Sequence, residues 1–274
     1  MEYGLSTYLF VDERLSSHIL DRILEAGIRR LEIFGARQHF DYRDPHHVND
    51  VAQWFKDHDV ALGGLHAPLF DDTDWGRSGG RPVSIAYLEK RHRLDSMEEI
   101  KRALEVAEKL PFRYLVLHMG LPGEEFETEK FDAALTSVEH LHIFAKERGV
   151  EILLENTPNK LSEPERLVQF IHFSHLGLKI CFDTGHAHMA GGVGPAFETL
   201  KAHIVSAHVH DNGSESDDHL MPFDGGINWS EAMRAFRGAP GSPVLNLELR
   251  NLHPGRSPRL AKVREIIARL DATA

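Results

Sequence analysis

The chain has little that could cross-link it, thread it through a lipid bilayer or attract a polyanion. Its 274 residues include one cysteine, Cys181, which excludes an intramolecular disulfide and any thiolate-cluster metal site and fits a reducing compartment. No run of about 18 apolar residues occurs, so no segment reads as a membrane-spanning helix. The start, MEYGLSTYLFVDERL, lacks the basic-then-apolar order of an export signal. Basic residues are also short, 31 Lys and Arg against 42 Asp and Glu for a formal charge of −11, and no Lys/Arg-rich run offers a footprint for nucleic acid or an anionic membrane. No G-x-G-x-x-G follows the first apolar run, which argues against a dinucleotide fold. The expectation is a cytoplasmic protein whose partners are small molecules or metals, with nucleic acid and membrane disfavoured.

Short aliphatic runs then alternate with segments of helical period from end to end, the pattern of parallel strands joined by crossover helices. The strand candidates are YGLST at 3, RLEIF at 30, VALGGLH at 60, YLVLH at 114, EILLE at 151, LKICFD at 178, IVSAHV at 204 and VLNLEL at 244. Between them, apolar residues recur at three and four residue intervals, as in Leu20, Ile23 and Leu24 or Leu94, Met97, Ile100 and Leu104. Gly27, Gly149 and Gly238 follow helical stretches, where a left-handed cap favours glycine. The helix near PAFETLKA reads as the shortest. Eight such units in a chain of this length predict a single-domain α/β TIM (β/α)8 barrel over residues 1–274, since closure leaves no edge strand to protect.

In such a barrel the carboxyl ends of the strands form the active face. Here the third strand ends in His66, the fourth in His118, the fifth in Glu155, the sixth in Asp183 with His186 a turn on, the seventh in His208 and the eighth in Glu248, while SDDHL adds Asp217 and His219. An isolated strand-end histidine is ordinarily a satisfied structural residue. Repetition changes that, because carboxylates crowded together repel and rise in pKa unless a cation lies among them. Imidazole with carboxylate and no thiolate suits Zn²⁺, Mn²⁺, Co²⁺ or Mg²⁺, and the mixture does not choose among them or fix their number. His140, His142, His172 and His175 fall on or beside helices, His46 and His47 at a helix start after Pro45, and His210 reads as a neighbour of the ligands.

The segments LHAP, LHMG, LLENTP, CFDTGHAH, HVHDN, DDHLMPFDGGINW and LELR, in this order, resemble the xylose isomerase-like TIM barrel superfamily, which joins sugar isomerases and epimerases with endonuclease IV type AP endonucleases. The resemblance implies one catalytic metal held by Glu155, Asp183, His208 and Glu248. Positions matching the further ligands of the endonucleases' three-zinc cluster are His66, His118, His186, Asp217 and His219. It further implies Glu155 and Glu248 as acid and base, with His66, His186 and Arg250 on substrate oxygens. The isomerase branch is favoured by the acidic loops GEEFETE and DNGSESDD, which suit a phosphodiester backbone poorly, and by Gly185, where endonucleases typically carry cysteine. The implied activity is proton transfer through an enediolate on a sugar, sugar phosphate or hydroxy-keto acid, with an AP endonuclease as the alternative; a homo-oligomer is compatible with either. The connection LFDDTDWGRSGGRPVS after His66 reads equally as a lid or as a surface loop with one packed tryptophan.

Overall fold

Each of the eight apolar runs forms a strand. The computed structural model describes residues 1–251 and 260–273, with strands β1 (Tyr3–Ser6), β2 (Arg30–Phe34), β3 (Ala61–His66), β4 (Tyr114–Leu117), β5 (Glu151–Glu155), β6 (Lys179–Asp183), β7 (Ile204–Val209) and β8 (Val244–Leu247). All neighbours pair in parallel, and β1 closes on β8 through Tyr3↔Leu245, Gly4↔Asn246 and Leu5↔Leu247. The chain is therefore a closed single-domain barrel. Gly4 sits where the wall admits no side chain, since a Cβ there would lie 2.1 Å from Asn246 Oδ1.

Around it run α1 (Ser17–Glu25), α2 (Pro45–Asp57), α3 (Lys90–Glu105), α4 (Thr128–Lys146), α5 (Pro164–Ser174), α6 (Thr184–Met189), α7 (Val193–Leu200), α8 (Trp229–Arg237) and α9 (Leu260–Ala272). Their apolar faces and the outward faces of the strands merge into one core, with Ile23, Leu31, Leu115, Phe170, Phe182 and Val263 at its centre. Burial of that continuous apolar surface is the main stabilising contribution.

Three details differ from the sequence reading. Leu94 lies near the start of α3 and is 47% exposed, leaving Met97, Ile100 and Leu104 to make the contact with the core. Gly27 and Gly149 take the left-handed conformation (φ 78° and 71°), but Gly238 ends α8 at φ −84°, closing it through N–H bonds to the Arg234 and Ala235 carbonyls. PAFETLKA belongs to α7, and the shorter α6 precedes it, starting directly at Asp183. Among the described residues no helix is long and apolar enough to cross a membrane.

Candidate metal centre

Strand alternation loads the mouth of the barrel from inside. Two residues before each polar strand end, on the same face, stands a small or uncharged residue: Gly64 before His66, Val116 before His118, Leu153 before Glu155, Cys181 before Asp183, Ser206 before His208, Asn246 before Glu248. The polar set is therefore the top layer of the barrel interior. Glu155, Asp183 and His208 are 0% exposed and Glu248 3%.

His208 is the hub. Its Nδ1 lies 3.3 Å from Glu155 Oε1, 3.4 Å from Glu248 Oε2 and 3.9 Å from Asp183 Oδ2, so three carboxylates from β5, β6 and β8 converge on one nitrogen. The opposite nitrogen, Nε2, is 2.8 Å from Glu32 Oε1 and donates to it. Glu32, in the middle of β2 and 1% exposed, was not among the sequence candidates. The signal available for it is a carboxylate interrupting the apolar part of the strand, LEIF. Burial disfavours a charged His208, but Cys181 and the carboxylates of Glu248, Glu32 and Glu155 push its pKa well above the ordinary imidazole value.

Three other imidazoles have their tautomer fixed by the backbone. Nδ1 donates to the Ala67 carbonyl in His66 (2.8 Å), to the Asn156 carbonyl in His186 (3.0 Å) and to the Glu248 carbonyl in His219 (2.9 Å). A carbonyl only accepts, so in each neutral ring the other nitrogen carries the lone pair. Those nitrogens face oxygens: His66 Nε2 is 3.4 Å from Glu155 Oε2, and His186 and His219 Nε2 are 3.2 and 3.1 Å from Asp217 Oδ2. Lone pair against lone pair at that range requires a proton or a cation between them.

The titration directions say the same. Burial opposes charge on each ring, yet Glu155 raises the pKa of His66, Asp183 and Asp217 raise that of His186 well above normal, and Asp217 raises that of His219. Burial likewise works against an ionised Glu155, but His208 and His118 hold its carboxyl well below the usual range. His118 alone moves the other way, lowered by its burial although its Nε2 is 3.1 Å from Glu155 Oε2.

Two atoms at the cluster, His210 Nδ1 and Asp217 Oδ1, are buried without a hydrogen-bond partner among the described residues. Among the described residues four triads, two of them sharing Glu155, each have ligand atoms within 4.8 Å of one another: His66, His118 and Glu155; Glu155, Asp183 and His186; Glu32, His208 and Glu248; and His210, Asp217 and His219. Orphaned lone pairs, opposed lone pairs and a ligand set of oxygen and imidazole nitrogen all fit a divalent cation.

The CFDTGHAH segment is built to hold this arrangement. Asp183 caps α6, its Oδ1 accepting from the His186 N–H (2.7 Å), and the Asn156 side chain bonds both the N–H (2.8 Å) and the carbonyl (2.9 Å) of Asp183. The carboxylate is thereby fixed in rotation, with His210 Nε2 2.9 Å from Oδ2. Gly185 leaves room for that imidazole: a Cβ there would come within 2.0 Å of His210 Cε1. His210 therefore touches Asp183 directly, closer to the centre than its place beyond β7 suggests. Its ring stacks on His219 with centroids 4.0 Å apart, and His219 holds a left-handed φ of 49°, a strain of the kind that packed functional sites sustain. Asp211 anchors the loop that carries Asp217 and His219, accepting from the N–H groups of Phe223 and Ile227 and from Trp229 Nε1.

One side of the mouth is aromatic. Tyr8, in the turn after β1, and Phe34, at the end of β2, meet at a tilt with centroids 4.8 Å apart; Trp75 meets both edge-on at 5.7 and 5.8 Å; and they lean on His219 and His66. The loop after β3 is thus folded down by its tryptophan. Its arginines turn to the protein itself, Arg77 pairing with Asp12 (2.6 Å) and Arg81 with Asp71 and Asp95 (3.3 and 3.2 Å). Arg250 is exposed just past β8; its N–H donates to the His219 carbonyl (3.0 Å) and its charge acts on Tyr8.

The sequence pattern of the xylose isomerase-like TIM barrel matches residues 20–273. The chain belongs to that family. Similar xylose isomerase-like barrels include a D-tagatose 3-epimerase-like protein of known structure, 25% identical, with a TM-score of 0.78 over 99% of this chain and 97% of that one. The uncharacterized protein MJ1311 of Methanocaldococcus jannaschii is 27% identical over 92% of this chain and 85% of its own length. A probable endonuclease 4 of Mycoplasmopsis pulmonis is 26% identical over 65% of this chain and 63% of its own.

Proposed function

We propose that the protein is a divalent-metal-dependent isomerase or epimerase acting on a sugar or related hydroxy-carbonyl compound. The observation that carries this reading is the convergence of Glu155, Asp183 and Glu248 on His208 Nδ1 at 3.3 to 3.9 Å, with Glu155 and Glu248 arriving from strands separated by two others. Glu155, Asp183, His208 and Glu248 would hold the cation. Bound there, a divalent ion supplies Lewis acidity, which acidifies the carbon between a carbonyl and a hydroxyl. Glu155 and Glu248 reach the same nitrogen from different strands (3.3 and 3.4 Å), so in this reading one carboxylate takes the proton and the other returns it through an enediolate. His66, His186 and Arg250 hold substrate oxygens, and Tyr8, Phe34 and Trp75 exclude water on their side. A positioned acid or base contributes about 10² to 10⁴ in rate.

A second reading, an AP endonuclease with a multinuclear zinc site, draws on His118, His186, Asp217, His219 and His66, which together offer donors for more than one ion, and on the endonuclease relative. Gly185 weighs against it here, because any side chain at that position would displace His210. The test is a pair of assays on manganese- or zinc-loaded protein. Deuterium wash-in at the carbon beside the carbonyl of a ketose in heavy water is the expected result. Metal-dependent nicking of an abasic-site oligonucleotide at low enzyme concentration, without such exchange, would overturn it.

A further inference from the structure

A second space of about 550 Å³ opens sideways from the centre, between the loops that follow β4, β5, β6 and β7. It is contiguous with the metal centre, because His186 and Asn156 line it and His186 Nδ1 stands 3.3 Å from Glu155 Oε1. Its volume falls within the range of ligand pockets, roughly 300 to 1,000 Å³. The proton-transfer chemistry uses none of its outer wall.

The charge on that wall is one-sided. Among the described residues, Glu124, Glu125, Glu163 and Glu215 line it against one lysine and no arginine; the lysine is Lys160, whose Nζ is held 2.6 Å from Glu163 Oε1. A phosphate on that outer wall would meet a net negative field in which Lys160 and Lys130 are already paired with Glu163 and Glu124 (2.6 and 3.4 Å), and the arginines of the loop after β3 are paired elsewhere. The uncharged polar groups suit hydroxyls instead. Asn159 fixes the turn after β5, its Oδ1 accepting from the Leu161 and Ser162 N–H groups (both 2.9 Å) and its Nδ2 donating to Thr157 (2.8 Å). Within that rigid turn Ser162, 1% exposed, lines the space with a buried Oγ that has no hydrogen-bond partner among the described residues. A buried hydroxyl left unmatched costs free energy until something bonds it. Pro158, Pro164 and Met189 add the apolar surface against which a sugar ring face packs.

We propose that this groove is a subsite for an uncharged, hydroxyl-rich extension of the substrate, a second glycosyl unit, so that the substrate class is a glycosylated ketose and not a sugar phosphate. The inference rests on the isomerase or epimerase reading of the central site. The experiment is calorimetric titration of the manganese-loaded full chain with D-fructose, fructose phosphate and the glucosyl-fructoses trehalulose, maltulose and isomaltulose, which place the second ring at different positions. At least one glucosyl-fructose binds about tenfold more tightly than D-fructose, the gain expected of one or two added hydrogen bonds, and fructose phosphate binds more weakly than D-fructose. Ala190→Trp, at an exposed position on the groove rim, removes that preference and leaves D-fructose affinity unchanged. D-fructose bound with no glucosyl-fructose preferred, fructose phosphate bound most tightly, or a preference that survives Ala190→Trp, each overturns the subsite alone. Absence of binding by every sugar, together with absence of deuterium exchange, overturns the central reading and the subsite with it.

Discussion

His39 and His208 are equally enclosed, both 0% exposed, and are driven in opposite directions. His39 donates or accepts only with neutral partners, the Glu13 carbonyl at 2.6 Å and Thr7 Oγ1 at 2.9 Å, and burial pushes its pKa down to about 4. His208 is buried among carboxylates, and they overcome the same desolvation and push it well up. Burial therefore decides only that a charge is costly; the neighbours decide whether the charge forms. A barrel that keeps so many carboxylates around raised imidazoles has a mouth in which protons hold the place of a stronger cation, and metal binding there must release them.

Breaking the charged side of this comparison gives the largest effect. Glu155 is the shared partner of His66, His118, His186 and His208, so Glu155→Gln removes the carboxylate that most of the cluster faces. Turnover is expected to fall by at least about a hundredfold, the lower end of what a positioned acid or base contributes, while circular dichroism shows the variant still folded. Full activity in the variant would remove Glu155 from the mechanism.

A smaller effect probes the hub from below. Glu32→Gln keeps an oxygen for His208 Nε2 but discards the negative charge that orients the ring and makes Nδ1 a better donor to a metal. Partners of this kind are worth about 10- to 100-fold in metal affinity, and competition between the protein and a chromogenic chelator for manganese reads that loss directly. Unchanged affinity would reduce Glu32 to a packing residue.

Glu32 also marks where the sequence stops being legible. All eight strands follow from runs such as EILLE and LKICFD because period and turn residues are local properties. Glu155, Asp183, His208 and Glu248 could be singled out because each closes its strand, where a polar residue is conspicuous. Glu32 sits mid-strand, and only barrel closure, through Ser6↔Glu32 and Glu32↔Gly64, sets it beneath an imidazole 176 positions away. His210 was placed in the loop after β7, and its contact with Asp183 depends on the missing side chain at Gly185, a matter of packing across two chain segments. The folding down of Trp75 onto Tyr8 and Phe34 likewise joins three separate loops or strand ends, so composition alone could not decide between lid and surface loop.

The neutral side of the comparison is read in stability. The folded pKa of His39 lies near 4 and its unfolded value near 6.5, so between those limits the unfolded chain takes up a proton that the folded protein refuses. The contribution is therefore complete above about pH 6.5 and is lost as pH falls toward about 4. In metal-free protein, urea denaturation at about pH 7 and about pH 4.5 should show the native chain losing about 2 to 3 kcal/mol more than His39→Gln loses. Comparing the two changes cancels the titration of the carboxylates and of the mouth histidines, which both proteins share. Equal losses would mean that His39 is protonated in place, with water or a shifted carbonyl receiving it, and that enclosure among neutral partners does not by itself keep an imidazole uncharged in this barrel.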